Sequence, residues 1–162
     1  MFKKALVFLA FFMGVSSVYA QHKVEGSYPL KGVEKISIEM VRNEDQSISL
    51  NKVKGLNRKL IDLYEVGDGI PEINTIFFHA LNKENNIIAL VSWDEDNINA
   101  IHYKVYAYKY NSEGDVSSNV NVISDKNLEG YEGYSGSGMT FYYKNAASIK
   151  KYLDEKVAIN LH

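Results

Sequence analysis

"AIHYKVYAYKY", residues 100–110, is the stretch on which the reading of this chain turns. Side chains alternate faces along a strand, so period two divides these residues into two sets. Ile101, Tyr103, Val105 and Ala107 form an apolar face suited to a core beneath a helix. His102, Lys104, Tyr106, Tyr108 and Tyr110 form the other face, aromatic but tipped with polar groups. That second face has two fates open to it. Left exposed, it is a partner surface, because tyrosine is enriched at interface hot spots. Otherwise a second layer covers it, with the N-terminal strands as the cover.

Upstream lie two further apolar runs, "INTIFFHAL" (73–81) and "IIALVSW" (87–93), set off by the polar turns "NKENN" and "DEDNIN". Short polar turns between apolar runs predict an antiparallel meander. After "NSEGD" (111–115), Val116 to Ser124 reads as one more strand. Earlier, "VEKISIEMV" (33–41) and "SISLNKV" (47–53) form a hairpin around "RNEDQ". The segment "LNRKLIDLYEV" (56–66) reads two ways: Leu56, Leu60, Leu63 and Tyr64 would line a helix face, while Lys59 to Val66 alternate as a strand. With no cap before it and an abrupt stop at Val66-Gly67, the strand is favoured.

At the C-terminal end, Met139 to Lys144 reads as a short strand. Asn145 then caps a helix running to about Lys156, with Ile149, Tyr152, Leu153 and Val157 in one apolar stripe. The expected fold class is α+β: a mainly antiparallel sheet of about six to seven strands in a meander, with one C-terminal helix packed on it.

The first twenty residues, "MFKKALVFLAFFMGVSSVYA", have the layout of a secretory signal peptide: a basic start, a short apolar core and small residues before a cleavage site after Ala20. The expected organisation is a leader over 1–20 and a single globular domain over 21–162. The expected location is the periplasm, with secretion to the medium as the alternative. Beyond Ala20 there are 16 basic against 20 acidic residues and no cysteine. That balance argues against nucleic acid, which calls for a clustered basic surface, and the lack of cysteine excludes thiol chemistry. No later apolar run is long enough to span a bilayer. Eleven of the twelve tyrosines follow Ala20, against three of the seven phenylalanines. Tyrosine suits half-buried sheets and binding surfaces alike, since its ring is apolar and its hydroxyl is not.

Tests for catalytic or metal motifs fail one by one. "GYEGYSGSG" (130–138) lacks the final glycine of a nucleophile elbow and the Gly-Lys-Ser/Thr of a phosphate loop. It reads as a connection, or as a flexible loop laying Tyr131 and Tyr134 over a groove. "WDEDNIN" (93–99) has carboxylates but places Ile98 and Asn99 where a calcium loop needs an oxygen ligand and a glycine. "VGDGIPEI" (66–73) keeps only Asp68, Gly69 and Glu72 of an acidic calcium turn, and reads as a turn opening a strand, with calcium at 67–72 the alternative. Of the four histidines, His22 and His162 lie near the ends; His79 and His102 sit on strands where neighbours could meet as a zinc or acid–base pair. No cofactor and no metal is implied.

Two functions are carried forward. The first is a small exported, non-enzymatic binding protein of the inhibitory or immunity type, acting on another envelope or secreted protein, or else on a saccharide or small ligand. Its binding residues would be Trp93, Asp94, Tyr106, Tyr108, Tyr110, Tyr131 and Tyr134. The alternative is a small envelope hydrolase using His79 or His102 with Ser135 or a loop carboxylate.

Overall fold

The tyrosine face of residues 100–110 is covered at Tyr108 and Tyr110 and half-open at His102, Lys104 and Tyr106. The structure, a computed structural model, describes residues 23–133 and 139–159. The expected leader, His22, Tyr134, Ser135 and His162 lie outside the described residues. Four strands, β1 (Lys23–Pro29), β2 (Ile36–Arg42), β3 (Ile48–Lys54) and β4 (Asn57–Tyr64), form one antiparallel sheet in chain order. A second sheet holds β5 (Pro71–Leu81), β6 (Glu84–Glu95), β7 (Ala100–Tyr110) and β8 (Val116–Ser118), again in chain order. A ninth strand, β9 (Glu129–Gly133), returns to β7. Helices α1 (Val120–Ile123) and α2 (Ala146–Ile159) complete the described elements, with a short 3-10 turn at Lys126–Leu128. Among the described residues no helix is long and apolar enough to cross a membrane.

The α+β reading holds, with nine strands rather than six or seven. Residues 57–64 are indeed a strand, joined to β3 through Gly55, whose φ of +60° favours glycine. Two expectations near the C-terminal end need correction. Residues 116–124 form a three-residue strand followed by α1, not one strand. Met139 to Lys144 makes only a single bridge, Met139 to Gly133; the paired strand is β9, inside the segment read as a loop. Glycines weaken a strand, but here the edge of β7 decides. β8 occupies only Tyr108 to Tyr110, so Ala100 to Lys104 stay open for β9 to pair.

Strand β6 shows why the core forms where it does. Residues 86–93 are buried without a break, so both of its faces are covered. Ile87, Ala89 and Val91 pack against Ile38, Met40, Ile48 and Leu50 of the first sheet. Ile88 and Leu90, with Val105 and Ala107 of β7, pack against Phe141 and against Ile149 and Leu153 of α2. A strand sealed on both sides reads as a continuous apolar run, as "IIALV" does. The molecule is thus three layers: sheet, sheet, helix.

The last layer is held at both ends of α2. Asn145 caps it, its side-chain oxygen accepting the Ser148 N–H at 3.0 Å. Near its other end Lys156 and Tyr152 both donate to the carboxylate of Asp125, which is almost fully buried and also accepts the Asn127 N–H. Burial works against that charge, but the donations from Lys156, Tyr152 and Asn127 outweigh it and hold the carboxyl below the usual carboxylate range. A depressed folded-state pKa stabilises the fold above the unfolded value of 3.8, and that contribution is lost as pH falls through the lower folded value. Asp125→Asn is therefore expected to cost about 1.5–3 kcal/mol at pH 7, the range for hydrogen bonds to charged groups. Urea melts of both proteins should converge as pH drops below 3.8; a pH-independent difference would contradict this role.

Candidate functional site

β6, β7 and β9 run side by side, and their registers set Trp93 opposite His102 and His102 opposite Tyr131. Side chains directly opposed on one face of a sheet stand about 5 Å apart, close enough for rings to stack. His102 and Tyr131 do so across the strands, and Trp93 lies tilted on the other side of His102. Centroids are 5.4 Å apart for Trp93 and His102 and 4.7 Å apart for His102 and Tyr131, the latter pair only 20° from parallel. One rung along, Lys104 faces Glu129, with Nζ 2.9 Å from Oε2. Glu129 also lies 3.2 Å from His102 Nε2 through its Oε1, and Glu95, two residues past Trp93 on the same face, lies 3.7 Å from His102 Nδ1.

The facing wall is the connection from β4 to β5, residues 65–70. Trp93 Nε1–H donates to the Glu65 carbonyl at 2.9 Å, and the Gly67 N–H donates to the Gly69 carbonyl at 3.1 Å. Gly69 lies so close to β6 that a Cβ there would sit 2.2 Å from the Asp94 carbonyl oxygen. Only glycine lets the loop seat at this depth. Between loop and sheet opens a cleft of about 320 Å³, with Glu65, Asp68, Glu95 and Glu129 at its walls.

Its charge is negative, since Lys104 is the one basic side chain lining it and is paired with Glu129. Tyr131 senses that field: burial first, then the carboxylates of Glu95, Glu129 and Asp68, push its hydroxyl above the ordinary tyrosine value. Tyr106 is pushed up by burial, then by Asp62 and Glu129. Both therefore remain neutral at physiological pH.

Of the residues singled out from sequence, Trp93, Tyr106 and Tyr131 converge on this cleft region. Asp94 points to the other face of β6 and is exposed. Tyr134 falls outside the described residues. The tyrosine face expected as a partner surface needs correction: Tyr108 and Tyr110 are 0% and 6% exposed, because the first sheet packs over them. Their polar tips are satisfied inside the sandwich. Tyr108 donates to Asp62 at 2.7 Å and, its one proton committed, accepts from the Tyr64 hydroxyl at 2.8 Å. The Tyr110 hydroxyl donates to the Lys31 carbonyl.

His79 and His102 do not meet. They lie on β5 and β7 with β6 between, and on opposite faces: His79 bonds Asp154 of α2 at 2.7 Å, on the helix side. Asp68 belongs to the cleft wall and Glu72 to β5, and among the described residues no three His, Cys, Asp or Glu side chains are grouped to hold a metal ion. The sequence reading missed Glu65 and Glu129 and took Glu95 for part of a solvated turn. Strand register brings Glu95 and Glu129 to His102 and the seating of the 65–70 loop brings Glu65, while the glycine-flanked β9 that carries Glu129 reads as loop in sequence.

Comparison with known protein families, with curated proteins and with solved structures gives no match for this chain.

Proposed function

We propose that the protein is an exported, non-enzymatic binding protein of the inhibitory or immunity type, and that it holds a cationic side chain of another envelope or secreted protein in this cleft. The observation that carries the reading is the aromatic row Trp93–His102–Tyr131 set beside four carboxylates. A guanidinium matches such a place, because it pairs with carboxylates and lies flat on aromatic rings. About 320 Å³ is the lower end of the range for ligand pockets and suits one inserted side chain better than a larger molecule.

The hydrolase alternative would use His102 oriented by a carboxylate, which the Glu129 contact allows, but with no nucleophile beside it in the described lining. A carboxylate only accepts, so His102 donates from Nε2 to Glu129, and its other nitrogen faces Glu95. Among the described residues lining the cleft there is no Ser, Thr or Cys to act as nucleophile.

The test is calorimetric titration with a short arginine-containing peptide and its citrulline counterpart, which keeps the shape and loses the charge. The arginine peptide should bind at least about tenfold tighter, a difference of 1.4 kcal/mol. Glu95→Gln with Glu129→Gln should erase that preference while leaving the fold intact. Equal binding of both peptides would sink the cationic reading.

A further inference from the structure

β4 is an edge strand, the last in the order β1-β2-β3-β4, so one side of its backbone has no strand partner among the described residues. Exposed edges invite pairing, and a soluble protein normally keeps apolar side chains off them. Here Leu60 is 56% and Leu63 38% exposed, flanked by Leu56 at 105%, Val66 and Ile70. Five of the nine large apolar side chains exposed among the described residues thus fall within 56–70, which makes this edge the most apolar open surface described.

The geometry says what fits it. A bulge beside Leu50 and Asn51 shifts the β4 alternation by one, so that Leu60 lies opposite Asn51, Leu63 opposite Ser49 and Arg58 opposite Val53. These three share the outer face, while Asp62 and Tyr64 turn inward to Tyr108. Glu65, next after Tyr64, continues the outer face by alternation. Charge is also ordered along the strand: Arg58 and Lys59 at its start, Asp62, Glu65 and Asp68 at and beyond its end.

We propose that β4 pairs antiparallel with β4 of a second copy about a two-fold axis, in the register that sets Leu60 opposite Leu63 and Arg58 opposite Glu65. In that register outer face meets outer face throughout, and the two-fold makes each pair occur twice. Basic ends meet acidic ends, where a parallel pairing would set like against like. Two four-stranded sheets become one continuous sheet. The Leu63 N–H, now bonded to the Asp62 carboxylate at 2.8 Å, points to this open edge and passes to a carbonyl of the partner strand. Leu63 and Glu65 also line the cleft, so the dimer and the cleft share this edge, and the sedimentation test reads the dimer alone.

Sedimentation velocity of the purified protein over about 1–100 μM tests it, a range that reports micromolar association. The native protein should shift from monomer to dimer, with amide exchange over 58–65 slowing as concentration rises. Glu65→Arg should weaken dimerisation at least about tenfold through the like charge it sets against Arg58. Arg58→Glu, which also sets a carboxylate beside its own-chain partner Glu39, should weaken it at least as far. The two together should restore it, with circular dichroism confirming that every variant is folded. A native protein monomeric throughout, or a dimer indifferent to both single reversals, would overturn the proposal.

Discussion

Leu90→Ala is expected to lower the free energy of unfolding by about 2–5 kcal/mol, the span for removing a buried leucine side chain and leaving part of the cavity behind. Leu90 is fully buried in the middle of β6, on the face that packs against Phe141, Ile149 and Leu153. Neighbours on two different segments, the irregular stretch before α2 and α2 itself, must both move to close the gap, and a gap between packed layers collapses poorly. The loss should therefore fall in the upper part of the span. Leu60→Ala is the matched control: the same chemistry on a strand, but at a position 56% exposed. In dilute solution, with no second copy bound, it should stay within about 0.5 kcal/mol of the native protein. Urea titration measures both, and equal losses at the two positions would mean that the layers are not stacked as described.

That pair of leucines also shows how far the sequence could be read. "IIALV" announces a strand of the meander, and the stripe at Ile149, Tyr152, Leu153 and Val157 announces the helix packed on the sheet; both stand in the fold, the strand buried on both faces. What covers the other face was not legible from residues 100–110 alone. An aromatic face with hydroxyl tips looks the same in sequence whether it meets water or meets Asp62, and only the placing of the first sheet decides between them. The cleft was half legible for the same reason. Trp93 and Tyr131 could be picked by type, but His102 stands between them because two registers happen to align. Glu129 reaches His102 from a segment that local propensity assigns to a loop. Leu60 and Leu63, which with Leu56 and Tyr64 also fitted a helix face, stand on the favoured strand instead, apolar and exposed at its edge.

Trp93→Ala is expected to cost more than any other single change at the cleft, about 3–5 kcal/mol of stability for a buried tryptophan. It should also cost at least about tenfold in affinity for the arginine peptide, as loss of an interface anchor does. The two losses have different origins and can be separated. Trp93 is 8% exposed and packs with the inter-sheet core through its ring, while its Nε1–H ties the Glu65 carbonyl and so holds the loop that forms the far wall. Trp93→Phe keeps most of the ring contact and removes only the donor. Stability should then fall by about 0.5–1.5 kcal/mol, the net worth of one hydrogen bond whose acceptor is only part-buried. If the cleft binds as proposed, affinity should fall nearly as far for phenylalanine as for alanine, because the loop carrying Glu65 and Asp68 loses its tether in both. A phenylalanine variant that binds the peptide as the native protein does would show that the loop wall is dispensable and that the sheet face alone makes the site.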